Sequence, residues 1–232
     1  MSQVGTVTRL ALRELWITFR LLVVLVAFTG VGSVVALLPA PAAVSFERLA
    51  VGFGIATTVT SALAAWTLAE ERASGRAGWL MTRSVSRGTY LLGWFGAIAA
   101  VTAVGLIGGA TLGWLAASTT PLGLDATGYA SVAFAILAAT WAAIGLGLVA
   151  GTVAKPSIAA VSASAICSAV AAAGLLVPVA GSWTPAGAYL ALPWVAGGDA
   201  VLPAALRAAG IGLFLAAVLL AAARVAMKRA EL

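Results

Sequence analysis

Histidine is absent from the 232 residues, and cysteine occurs once, as Cys167. A Ser-His-Asp triad, a Cys-His pair, a His-ligated haem and a His-containing zinc site are therefore excluded, and no disulfide can form within one chain. Cys167 lies in the apolar run IAAVSASAICSAV and reads as a small buried hydrophobe, because a thiolate is unfavourable in such surroundings. Charge is scarce as well: 9% of the residues are charged, against about a quarter in a soluble domain, while 62% are hydrophobic and the mean hydropathy is +1.10. So few charges cannot cover so much apolar surface, which excludes a cytosolic enzyme. A phosphate-binding loop is also lacking. The nearest approach, GTVAKPS at 151–157, has neither the spacing nor the closing Gly-Lys-Ser/Thr.

What is present is a set of six apolar stretches, at 21–38, 49–69, 89–117, 128–154, 157–180 and 203–223. At 1.5 Å per residue each spans, or nearly spans, a hydrocarbon core of about 30 Å. The expected fold is an all-α integral membrane protein with six transmembrane helices and the first helix retained rather than cleaved as a signal. With the N-terminus inside, the inner segments hold Arg9, Arg13, Arg20, Arg72, Arg76, Arg83, Arg87, Lys155, Arg224, Lys228 and Arg229, and the outer segments only Arg48 and Arg207. Basic residues collect on the cytoplasmic side, so both termini are expected there. The richness in Ala and Gly suggests a GC-rich bacterial source, hence a bacterial cytoplasmic membrane.

Residues 6–20 form an amphipathic pattern: Thr6, Arg9, Arg13 and Arg20 share one arc, and Leu12, Leu15, Trp16 and Phe19 a neighbouring one. Such a helix lies in the headgroup layer, either as a plain anchor or as a receiver of motion from a partner. Residues 69–94 are the most polar stretch. Glu70, Glu71, Arg72, Arg76, Arg83 and Arg87 surround an apolar centre of Trp79, Leu80 and Met81. Ser74 is placed to cap a short helix over about 75–83, and Ser86 to cap the third span. An exposed aromatic and aliphatic centre with an arginine rim suits a protein interface; a solvated loop dipping into the membrane surface has the same composition.

The segment at 181–201 is apolar but broken by Pro185, Pro193, Gly197 and Gly198, too short to span, with Trp183, Tyr189 and Trp194 suited to the outer interface. Within the spans, Thr57, Thr60, Ser61 and Thr67 share an arc of the second, and Ser157, Ser164 and Ser168 align on the fifth. These hydroxyls either bond back to the preceding turn or line a translocation path. Gly105, Gly109 and Gly113, and Gly147 with Gly151, mark close helix packing within or between chains. No ionisable residue falls near mid-span, which argues against a proton- or cation-coupled carrier.

The order Glu70 and Glu71, Ser74 and Gly75, Trp79 and Leu80, then Val85, Ser86, Arg87 and Gly93 resembles the first cytoplasmic loop of ABC-2 type transporter permeases. The N-terminal amphipathic helix, six spans and an apolar loop before the last span extend the resemblance over the whole chain. Ser84 stands where the family often has Pro, and Trp94 where Lys often follows the Gly. The resemblance implies an elbow helix at 1–20 and a transmembrane domain at 21–232. Within that domain, loop 70–88 would carry the coupling helix and segment 181–202 a re-entrant outer gate. Glu71, Arg72, Arg76, Trp79, Leu80, Met81 and Arg83 would then engage a separate ATPase subunit that binds ATP and Mg. A second copy or a related permease would complete the path, with no cofactor, metal or nucleic acid held by this chain. The implied function is export of a hydrophobic or amphipathic compound such as a drug, antibiotic or peptide. An ion-coupled or uncoupled carrier and a non-transporting membrane scaffold are the alternatives.

Overall fold

The computed structural model describes residues 3–38, 40–81, 85–118, 125–177, 181–196 and 201–229. Arg83 lies outside them, as do the side chains of Trp79, Leu80, Met81 and Trp194. The elements are helical in order: α1 (Gln3–Ile17), α2 (Arg20–Leu37), α3 (Ala42–Ala73), α4 (Arg76–Met81), α5 (Arg87–Ser118), α6 (Ala126–Val153), α7 (Pro156–Leu176), the short α8 (Gly187–Ala191) with a 3-10 turn (Pro193–Ala196), and α9 (Val201–Arg229). Among the described residues six helices, α2, α3, α5, α6, α7 and α9, are long and apolar enough to cross a membrane. The fold is all-α, and its six long helices match the expected spans.

The expected boundaries differ most at α3 and α9, which begin or end several residues beyond the apolar runs. Helix geometry carries them past the hydrocarbon: α3 and α5, at 32 residues each, are about 48 Å long, so their ends project into the headgroup layers or tilt. The elbow also breaks earlier than its pattern suggested. Phe19 takes a left-handed conformation (φ 58°), which ends α1 and makes Arg20 the first residue of α2. Arg20 therefore leaves the arc of Arg9 and Arg13, and the buried face of α1 is Val7, Ala11 and Leu15, a helical i, i+4, i+8 stripe that packs on α5.

Helix α6 is the centre of the bundle, with 67% of its apolar window buried against 17% for α7. It contacts α3, α5, α7 and α9, while α2 packs chiefly on α5. The glycine pairs are used within the chain. A side chain at Gly109 would strike the Phe28 carbonyl of α2, and one at Gly147 the Ser61 carbonyl of α3. With lipid as apolar as leucine, such backbone approach supplies the packing that a hydrophobic driving force supplies in water. One apolar core, with Phe28, Phe46, Phe53 and Ile136, fills the half of the bundle nearer α8; a second, with Leu15, Leu68, Tyr90, Ile144 and Met227, fills the half nearer α1.

Candidate functional site

The chain leaves α3 through Ser74 and Gly75, and Gly75 sits at φ +75°, where any side chain would be strained. This turn starts α4. Ser74 does not cap α4: its hydroxyl donates back to the Glu71 carbonyl at 3.2 Å and accepts from Arg76 Nε at 3.2 Å. Ser86 does cap α5, its Oγ accepting from the Thr89 N–H at 3.1 Å. Ala77 of α4 is fully buried in the core formed by α1, α3, α5, α6 and α9, so the short helix is seated on the bundle. The side chains of its apolar centre, Trp79, Leu80 and Met81, lie beyond that seat in the sequence.

Arg76 is the hub of this end. Its Nη1 donates to Glu14 Oε1 of α1 at 2.8 Å, and its Nε stands 3.3 Å from Glu71 Oε1 of α3. The hydrogen bond to Glu14 and the nearby Glu71 charge push the guanidinium above its already high pKa, so it stays charged. Glu71 is buried, its side chain 8% exposed. Arg76 covers one of its oxygens and the Tyr90 hydroxyl donates to the other at 3.5 Å. Arg72 turns away and donates to the Gly151 carbonyl of α6 at 3.0 Å. Arg20 pairs with Glu70 and donates to Thr67 at 3.2 Å. Arg87 donates to the Met227 and Lys228 carbonyls, closing the end of α9. A cavity of about 340 Å³ is lined by Val7, Leu10 and Glu14 of α1, Glu71 of α3, Arg76 of α4 and Trp94 of α5.

At the opposite end, the segment before α9 folds inward. Ala188, Ala191, Leu192 and Val195 are buried between the long helices, and Tyr189 reaches halfway along the bundle. Its hydroxyl lies 2.7 Å from Thr57 Oγ1 of α3, which is 2.9 Å from Thr140 Oγ1 of α6. Trp183 remains at the surface, 66% exposed, with the Arg207 guanidinium 5.1 Å from its ring centre.

The two hydroxyl stripes part company. Thr60 bonds back to the Ala56 carbonyl at 2.8 Å, Ser61 crosses to the Ala143 carbonyl of α6 at 2.7 Å, and both are fully buried. Ser164 bonds back to Val161 at 3.0 Å, and Ser168 is exposed on the outside of α7. Thr57 is thus brought together with Tyr189, whereas Ser164 and Ser168 are on another face. Sequence reasoning missed Glu14, Arg20, Tyr90 and Thr140. Thr140, a solitary hydroxyl midway along an apolar helix, carried a usable signal; the pairing of Glu14 with Arg76 across 62 positions carried none.

No protein-family model and no curated protein matches this chain. Its own sequence and structure make it a multi-pass, all-α membrane protein with six long apolar helices.

Proposed function

We propose that this chain is the permease subunit of an ABC-2 type exporter in a bacterial cytoplasmic membrane. A separate ATPase subunit, with its ATP and Mg, would power it, and a second copy or a related permease would pair with it. The observation that carries this reading is the seating of α4. A short helix between two long spans, at the end where basic residues collect, continues from a buried Ala77 into Trp79, Leu80 and Met81. Its Arg76 is bonded to both α1 and α3.

A partner pressing on α4 would move α1 and α3 together through that guanidinium, which is what a subunit without its own nucleotide site needs from an external motor. The cargo would be hydrophobic or amphipathic. Mid-span groups capable of binding and releasing a proton or cation are missing from the sequence, which disfavours the ion-coupled carrier.

Affinity purification of the tagged full-length protein from its own membranes tests the reading. An ATPase subunit should accompany it, and hydrolysis by the complex should be vanadate-sensitive. A protein that purifies alone and still transports, or one that never transports, would overturn it.

A further inference from the structure

A second cavity, of about 210 Å³, lies in the middle of the bundle, with α3 and α6 behind it, Tyr189 at its inner end, and α7 and α9 on either side. Helices α7 and α9 flank the opening and scarcely touch each other. At its mouth Ile166 and Val170 of α7 are 47% and 39% exposed. Thr57 and Thr140 are each halfway along helices long and apolar enough to cross the membrane, which puts the opening at the depth of the hydrocarbon rather than of the headgroups. No charged side chain lines it among the described residues.

The hydrogen bonds at its inner end can all be made at once in one direction alone. A threonine or tyrosine hydroxyl carries one hydrogen. Thr140 gives its hydrogen to the Ile136 carbonyl at 2.8 Å, so in the contact between Thr57 and Thr140 the donor is Thr57. With the Thr57 hydrogen spent, Tyr189 must donate to Thr57. Thr58, the other threonine on the lining, donates to the Gly54 carbonyl at 3.0 Å. The hydroxyls therefore have no hydrogen left for a guest. What remains on the lining is acceptor lone pairs, on the Tyr189 oxygen at the inner end and on Thr58, beside the weakly hydrogen-bonding thiol of Cys167.

We propose that this cleft binds the head of a neutral, apolar alcohol that enters sideways from the bilayer and donates its hydroxyl hydrogen to Tyr189. A carbonyl or ether head would meet no donor hydroxyl there, and an ammonium would meet no counter-charge. The volume sets the depth of entry. At roughly 30 Å³ for each small group, the cavity holds about seven, so the head and first carbons fit and the rest of the chain runs out between α7 and α9. The site requires no ATPase subunit, so its failure would leave the transport reading untouched.

The test uses the full chain in phosphatidylcholine vesicles with a dodecanol carrying a photoreactive diazirine near the hydroxyl, compared with its methyl ether. After irradiation, mass spectrometry should place the alcohol's adducts on residues 166–171 and 215–219, about fivefold above the ether, the worth of one neutral hydrogen bond. Unlabelled dodecanol should compete and dodecyl methyl ether should not. Tyr189→Phe, which keeps the ring, should make alcohol and ether equal. Val170→Trp at the mouth should reduce labelling by the alcohol while leaving thermal unfolding unchanged. Equal labelling by alcohol and ether in the unaltered protein would overturn the proposal, whatever the variants do. Adducts spread over all six long helices in proportion to their exposure would overturn it as well.

Discussion

The two ends of the bundle are held by different chemistry. At the end carrying α1 and α4, arginines reach between elements: Arg20 to Glu70, Arg72 to the Gly151 carbonyl, Arg76 to Glu14 and Glu71, and Arg87 to the last carbonyls of α9. At the other end Arg48 of α3 reaches only across the turn to the Leu38 carbonyl at the end of α2, and Arg207 stands over the exposed Trp183. Cohesion there comes from buried Phe46, Tyr129 and Leu192 and from neutral hydroxyls, including Tyr129 donating to the Ala110 carbonyl at 2.7 Å. The charge rule that orients a membrane protein also stocks one end with long, multiply donating side chains. That end can be tied together by groups that reach far and can change partners. The other must rely on close apolar fit.

Substitutions at the middle and at each end should separate these modes. Gly147→Val inserts a branched side chain against the Ser61 carbonyl, an obstacle that is backbone and cannot rotate aside. It should cost about 3 kcal/mol, the upper part of the range for overpacking, read as a large fall in the detergent unfolding temperature. Both ends should loosen together, because α3 and α6 serve both. Glu71→Ala should cost about 2 kcal/mol, because it leaves the Tyr90 hydroxyl without its acceptor and removes one of the two carboxylates paired with Arg76. Hydrogen exchange should rise in α1 and α4 and stay unchanged around α8. Smallest of all, Trp183→Ala removes an exposed ring from Arg207 and should cost about 0.5 kcal/mol, with no change at the arginine end. An equal loss from Trp183→Ala and Glu71→Ala would erase the contrast.

Much of this architecture was legible in the residues because lipid leaves a spanning segment few alternatives. A run of apolar residues long enough to cross must be helical to satisfy its own backbone, so α2, α5, α6 and α7 were evident within a few residues. Local capping at Ser86 was legible because donor and acceptor are three residues apart. The break at Phe19 was not, since a left-handed phenylalanine is a local cost tolerated only because α1 packs on α5. Nor was the inward fold of Tyr189, whose aromatic ring suits an interface equally well and whose burial depends on partners at positions 57 and 140. The reach of Arg76 to Glu14 joins segments with no common periodicity. Composition placed both residues at one end, and only packing brought them into contact.

The central claim is that force enters at α4, and it is tested most directly by changing its apolar centre while leaving its seat intact. Trp79→Ala combined with Leu80→Ala retains Ala77, Arg76 and the ion pairs to α1 and α3. Buried interface anchors commonly cost about 2 kcal/mol or more when truncated, roughly 30-fold in affinity. The doubly altered protein should insert and unfold like the original, hold the proposed ATPase subunit at least about 30-fold more weakly, and lose the proposed transport in proportion. Full ATPase association together with full transport would show that α4 is not where the motor docks.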